Sequence, residues 1–352
     1  MPEPTGRPGR PGPAKSGPGV VFVVPPGRPP SGGDLYNRFL LKALAAAGFS
    51  FETTTLEPLS PKTHPDGTEF WIDSLYIPVL GERDPFEPDH RLFFIVHSLP
   101  SAEPGLPREK ADGLRAVEDG LFDGACGFLV TGETTRKTLA ARGFGGVPVF
   151  VVPPAPCVLP KGAPLAAGDV FDGLIVSSLT RGKGVPEFLD ALGREVREKD
   201  RFMLRIAGRT DIEPGTAAAC LAAVAADPLL KESVRHLGFV PYEDLGTEYG
   251  RSSALISPSP SETYGMAFHE ARAFGLPILA VRAPYSEPFI ETGRTGLLFE
   301  NAGELAEGML ELARQPERAR DLAASAAAAR PASFYTWDDA ARAFLEQRGS
   351  VL

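Results

Sequence analysis

The sequence predicts an α/β fold built as two domains of parallel sheet. Three observations lead there. Short β-branched runs ended by Pro/Gly turns read as strands buried on both faces. Amphipathic helical stretches alternate with these runs along most of the chain. The length of 352 residues corresponds to about two domains at roughly 100–200 residues each.

Taken in order, residues 1–18 are rich in proline and glycine without an aliphatic run and read as a flexible tail. The first strand is Val20 to Val24 in VVFVVPPG. The glycine loop Ser31-Gly32-Gly33-Asp34 follows and opens a helix on which Leu35, Phe39, Leu40, Ala43, Leu44 and Ala47 recur at i, i+3/i+4 spacing, with Gly48 as its stop. The alternation continues with LFFIV ending at His97, a helix from Arg108 to Leu121, GFLVTG, a helix from Glu133 to Arg142, and VPVFVVPP. The resulting domain spans residues 19–155. Residues 156–169 are proline-rich without periodicity and read as a linker.

A second series occupies 170–332. Its strands are expected at Phe171–Ser177, Arg201–Ala207, Val234–Leu237, Ala254–Ser257, Pro277–Val281 and Gly296–Phe299, with helices between most of them. Leu305, Met309 and Leu312 mark one face of a later helix, Ala323–Ala329 an alanine-rich one, and Phe334–Gln347 the last. The segment 333–352 is expected to pack back on the first domain.

Charge and composition exclude several classes of function. Lys and Arg number 36 against 45 Asp and Glu, a net charge of −9, which repels phosphate backbones and anionic lipid headgroups. Nucleic-acid binding and membrane association are therefore not expected. Residues 19–155 alone hold 12 basic and 17 acidic side chains, against an anionic bilayer partner for that domain. The cysteines Cys126, Cys157 and Cys220 are widely spaced with no CxxC, which suggests neither a disulfide framework nor zinc and fits a reducing, cytoplasmic setting. No apolar run approaches the ~20 residues that span a bilayer.

The segment Ser257-Pro-Ser-Pro-Ser-Glu262-Thr263-Tyr-Gly265-Met266-Ala267-Phe-His-Glu270 carries the most information. Its glutamates lie eight apart, just over two helical turns at ~3.6 residues each. With Glu262 before a helix and Glu270 inside it, both can face one cleft, beside free helix-start amides at Tyr264 to Phe268 suited to an anion. From spacing alone, the two glutamates also fit the caps and solvating groups of an ordinary helix.

This segment resembles the E-x7-E signature of the retaining glycosyltransferases of family 4 (glycosyltransferases group 1). Ser177-Ser-Leu-Thr-Arg-Gly-Lys183-Gly resembles that family's lysine-glycine turn. Gly238-Phe-Val with Leu245 and Tyr249, and Gly293-Arg-Thr-Gly-Leu-Leu, resemble further family segments, so the likeness spans about residues 20 to 345.

The resemblance implies the GT-B architecture, two facing Rossmann-like domains with a central cleft. It implies a hexosyltransferase-like, retaining, metal-independent enzyme whose donor is a nucleotide-diphosphate sugar, a UDP-sugar being the first expectation, and whose acceptor is small or soluble. No cofactor is implied, and no Asp-x-Asp motif offers a metal site.

By the same likeness Lys183 meets the diphosphate, Glu270 the ribose, and Glu262 with Thr263, Gly265, Met266 and Ala267 the sugar. Gly32 and Gly33 correspond to the family's glycine loop, Gly208 and Arg209 to the base and ribose position, and His97 to a histidine that reaches the donor sugar, with Glu103 a weaker match beyond it. An arginine common in the family is Ser178 here, and Arg181 is the candidate to replace it. A sugar-nucleotide epimerase, a phosphorylase, or an inactive nucleotide-sugar-binding module fits the same residues.

Overall fold

A computed structural model of the protein describes residues 19–26, 31–57, 59, 64–80, 90–102, 106–160, 170–260, 262 and 264–351. The expected tail at 1–18 and most of the expected linker lie outside them.

The first domain runs β1 (Val20–Val23), α1 (Gly32–Ala46), β2 (Glu52–Thr54), β3 (Glu69–Asp73), α2 (Ile77–Leu80), β4 (Arg91–Val96), α3 (Arg108–Phe122), β5 (Gly127–Val130), α4 (Glu133–Ala141) and β6 (Val149–Val151). The second runs β7 (Phe171–Val176), α5 (Val185–Glu195), β8 (Phe202–Ala207), α6 (Pro214–Ala226), α7 (Pro228–Ser233), β9 (Val234–Gly238), α8 (Tyr242–Arg251), β10 (Ala254–Ser257), α9 (Met266–Phe274), β11 (Ile278–Val281), β12 (Gly296–Phe299), α10 (Ala302–Arg314) and α11 (Pro316–Ala328). A last helix, α12 (Trp337–Val351), completes the chain.

All pairings between these strands are parallel. The first sheet has the order β2-β1-β3-β4-β5-β6 and the second β12-β11-β10-β7-β8-β9. Numbered within itself, the second is the 3-2-1-4-5-6 order of the dinucleotide-binding fold, whereas the first is the 2-1-3-4-5 type extended by one strand. Each sheet reverses its winding beside its first strand, between β1 and β3 in one and between β7 and β10 in the other. Ligands of open α/β sheets bind outside the carboxyl ends of the strands at such points.

The strands β2 and β3 escape the sequence pattern. Strand β3 is Glu-Phe-Trp-Ile-Asp, buried throughout yet bounded by carboxylates, and a buried carboxylate is tolerated only with partners. Beside the local Trp71 Nε1–H on Glu69 and the Leu75 N–H on Asp73, their partners are remote in sequence. Glu69 accepts from Arg91 at 3.2 Å and from Arg348 of α12 at 2.9 Å, and Asp73 has partners described below.

Helix α12 is bound to the first sheet by both polar and apolar contacts. Gln347 accepts from the Val151 N–H at 2.9 Å and donates to the Val151 carbonyl at 3.0 Å, so its amide satisfies the backbone of edge strand β6. Phe344 is fully buried and meets the rings of Phe22, Phe49, Trp71 and Phe150 at centroid distances of 5.1 to 6.4 Å. Helices α11 and α12 are both displaced from the expected bounds. Pro316 opens α11 seven residues before the alanine run, and a Thr336/Asp339 capping pair delays α12 to Trp337.

Phe344→Ala removes the ring on which four aromatic side chains converge. Urea denaturation should show a loss of about 3–5 kcal/mol; a cost below about 1 kcal/mol would mean that α12 is not part of the first domain's core.

Candidate active site

The carboxyl ends of both sheets open onto one cleft of about 510 Å³, within the ~300–1,000 Å³ usual for small-ligand pockets. The first domain contributes Gly32, Gly33, Tyr36 and His97 to its wall. The second contributes Lys183, Gly208, Arg209, Glu262 and the start of α9 through Glu270.

Lys183 lies in a 3-10 turn after β7, at the switch point of the second sheet. The turn closes through Gly184, at φ +66°, where a Cβ would come within 2.2 Å of the Pro258 carbonyl oxygen. Only glycine fits, and the lysine turn is thereby seated on the Ser/Pro loop that leaves β10. That loop carries Glu262, whose Oε1 lies 2.6 Å from Lys183 Nζ. The pair is about one-third exposed on the lysine side, so it contributes at most about 1 kcal/mol and is readily exchanged.

Gly265 supplies the left-handed turn, φ +71°, that starts α9, and no side chain caps the helix. The Phe268 N–H, expected to be free, instead donates to the Gly265 carbonyl at 2.9 Å. The amides of Met266 and Ala267 remain as the helix-start donors beside the cleft. Tyr264 stacks on His269 with centroids 4.6 Å apart.

Glu270 is buried. It accepts from the Tyr249 hydroxyl at 2.7 Å and from the Cys157 N–H, in the segment leaving β6, at 3.2 Å. Burial pushes its carboxyl up to about 7, against the opposing pull of the hydrogen bonds from Tyr249, Cys157 and Val158.

Gly208 is demanded by packing, since a Cβ there would meet the Ser177 carbonyl oxygen at 1.8 Å. Arg209 is ion-paired with Asp211 at 2.8 Å. The cleft's lysine and this arginine both already face carboxylates, and the α9 amides supply the remaining positive end.

On the opposite wall, Ser31 caps α1 reciprocally with Asp34. The glycines after it admit close neighbours. A Cβ at Gly32 would lie 3.4 Å from the Met266 side chain across the cleft, and one at Gly33 2.9 Å from the His97 ring.

The structure thus brings His97, Lys183, Glu262, Gly32, Gly33, Gly208, Arg209, Gly265, Met266, Ala267 and Glu270 to one cleft. Arg181 is exposed and does not line it, whereas Ser178 does. Thr263 and Glu103 lie outside the described residues. Sequence reasoning passed over Tyr36, Asn37 and Asp73. Asn37 and Tyr36 sit on the apolar face of a helix already read for its core, and Asp73 ends a strand that the pattern did not show. Among the described residues no cluster of His, Cys, Asp and Glu is arranged to hold a metal ion, and no helix is long and apolar enough to cross a membrane.

Comparison with known proteins agrees with this architecture. Residues 165–329 match the family model of glycosyl transferases group 1. Sucrose-phosphate synthase from Thermosynechococcus elongatus superposes with a TM-score of 0.73 at 18% identity, over 95% of this chain and 98% of that one. Anabaena HepE in complex with UDP-glucose gives 0.68 at 16%, over 94% and 99%. The fold is GT-B.

Among curated relatives, alpha-monoglucosyldiacylglycerol synthase of Acholeplasma laidlawii is 23% identical over 42% of this chain and 36% of its own length. D-inositol 3-phosphate glycosyltransferase of Frankia alni is 27% identical over 44% and 38%. The matched stretch spans little more than a third of these relatives' lengths.

The raised carboxyl of Glu270 sets a pH dependence of stability. A folded state that binds this proton more tightly than the unfolded chain has the full benefit below about pH 4.5 and loses it as pH rises through about 7. Glu270→Gln removes that component, on the order of a few kcal/mol. Urea midpoints should fall less between pH 4.5 and 7.5 in the variant than in the wild type; parallel curves would place the carboxyl at its ordinary value.

Proposed function

We propose that the protein is a retaining, metal-independent glycosyltransferase that moves a sugar from a nucleotide-diphosphate donor, a UDP-sugar first among them, to a small or soluble acceptor. The observation that carries this reading is the Lys183–Glu262 pair, 2.6 Å apart, beside the uncapped start of α9 in a cleft between two facing domains. The match to the glycosyl transferases group 1 model and the likeness to HepE, solved with UDP-glucose, support it.

In this mechanism the donor diphosphate enters beside Lys183 and displaces Glu262, a low-cost exchange because the pair is partly solvated. Lys183 and the Met266 and Ala267 amides then hold the phosphates. They stabilise charge as the bond between the anomeric carbon and the diphosphate oxygen breaks, which removes the need for a divalent ion. Glu262, released from its lysine, accepts from sugar hydroxyls, and Glu270 with Tyr249 lies at the nucleotide end. The acceptor hydroxyl attacks the face the diphosphate leaves and passes its proton to the departing phosphate, giving retention. His97 orients the sugar.

The two relatives are named for different chemistry on the acceptor side, one for a monoglucosylated diacylglycerol product and the other for inositol 3-phosphate, whereas the family match covers the second domain. The acidic balance of the first domain supports a soluble acceptor.

A thermal-shift screen of UDP-, GDP-, ADP- and TDP-sugars identifies the donor. With that donor, Lys183→Ala should lower the rate of nucleotide release about 10²–10³-fold, and NMR of the product should show the donor's anomeric configuration. Inversion would sink the retaining assignment. Isomerisation of donor without acceptor would identify an epimerase, and binding without turnover in cell extract an inactive module.

A further inference from the structure

We propose that Asp73, assisted by Asn37, is a positioning residue that locks the His97 imidazole in a single tautomer, with the proton on Nε2 and a lone pair on Nδ1. Asp73 ends β3 at the switch point of the first sheet and its side chain is wholly buried. It does not line the cleft, so it acts through His97, which does.

The hydrogen-bond inventory around Asp73 closes in one way. Oδ1 accepts from the Leu75 N–H at 2.8 Å. Oδ2 accepts from Asn37 Nδ2 at 2.5 Å and stands 3.2 Å from His97 Nε2. The Asn37 amide, having turned its nitrogen to Asp73, presents Oδ1 to the same His97 Nε2, also at 3.2 Å. An ionised carboxylate and an amide oxygen only accept. The nitrogen facing both must carry hydrogen.

The ring has little freedom to turn away from this arrangement. Gly33 packs so closely that a Cβ would stand 2.9 Å from His97 Cδ2, and Tyr36 meets the imidazole edge to face at 5.0 Å. Tyr36 is itself anchored, donating to the Val152 carbonyl at 2.8 Å.

The opposite nitrogen, Nδ1, is buried with no hydrogen-bond partner among the described residues. An orphaned buried polar atom is unfavourable, and burying the Asp73 carboxylate adds to this. The assignment of hydrogen to Nε2 stands on this geometry alone, whereas the kcat test below rests on the glycosyl-transfer reading.

Two-bond ¹H–¹⁵N correlation spectra of the uniformly labelled full chain test the assignment, with His97 identified by its loss in His97→Gln. The wild type should show a protonated Nε2 and a bare Nδ1 at pH 8. A protonated Nδ1, or averaged tautomers, would overturn the proposal, and this result needs only the assignment variant His97→Gln to fold.

In Asp73→Asn the tautomers should mix, and kcat for nucleotide release should fall at least about tenfold. UDP affinity by calorimetry should stay within about twofold, because Asp73 lies on the wall opposite Lys183. Unchanged tautomer and kcat in a folded Asp73→Asn would also overturn it. Failure of the wild type to bind any of the nucleotide sugars would sink the glycosyl-transfer reading while leaving the spectral result intact.

Discussion

The architecture of the site rests on one topological constraint, the reversal of winding beside the first strand of each parallel sheet. At a reversal, the chains leaving two adjacent strands diverge to opposite faces and leave a gap at the carboxyl edge. In the second sheet the strands flanking that gap are β7 and β10, and their exits deliver Lys183 and Glu262. In the first sheet they are β1 and β3, whose exits deliver the α1 glycines and Asp73, with His97 following from neighbouring β4. Facing the two carboxyl edges across one cleft is enough to assemble the candidate site. The glycines at 33, 184 and 208 are needed because the crossing chains approach too closely for a Cβ.

Electrostatics then limits what the cleft can bind and how. The protein carries a net charge of −9, and among the described residues the cleft's lysine and arginine, Lys183 and Arg209, are paired with Glu262 and Asp211. An anion therefore enters by exchange, taking the lysine from a carboxylate that is free to turn to a neutral, hydroxyl-rich group. A diphosphate attached to a sugar presents those two chemistries side by side. Glu270 differs because it is buried and bonded to Tyr249 and to the backbone of Cys157. It thus ties this end of the cleft to the chain crossing between the domains.

Much of this was legible in the sequence where function is written in contiguous segments. Continuous runs such as Leu-Ile-Ser at β10 or Phe-Phe-Ile-Val at β4 announce strands buried on both faces. The glutamates at 262 and 270, and the lysine at 183 with its following glycine, sit in short contiguous motifs, and it was their resemblance to a family signature, not spacing alone, that marked them. Strand β3 was not legible, because Glu69 and Asp73 at its ends read as surface residues until Arg348, Asn37 and His97 are brought to them by the fold. The Phe268 amide was misjudged for a local reason: the left-handed Gly265 turns its own carbonyl onto that N–H.

The same distinction separates the two halves of the cleft. The second-domain wall draws on residues 177–184 and 257–270, two stretches that carry their geometry with them, and the family match falls on this half. The opposite wall is assembled from α1, the end of β3 and the end of β4, three segments joined only by strand order. Its working unit is a buried hydrogen-bond network in which each member, Asn37, Asp73 and His97, is an ordinary residue type in an unremarkable local context. A network of that kind is satisfied only as a whole, because removing one partner strands the others in a low-dielectric interior. Under the proposed glycosyl transfer, selectivity for the acceptor resides in long-range contacts of the first domain, the part of the chain where local sequence patterns carry the least information.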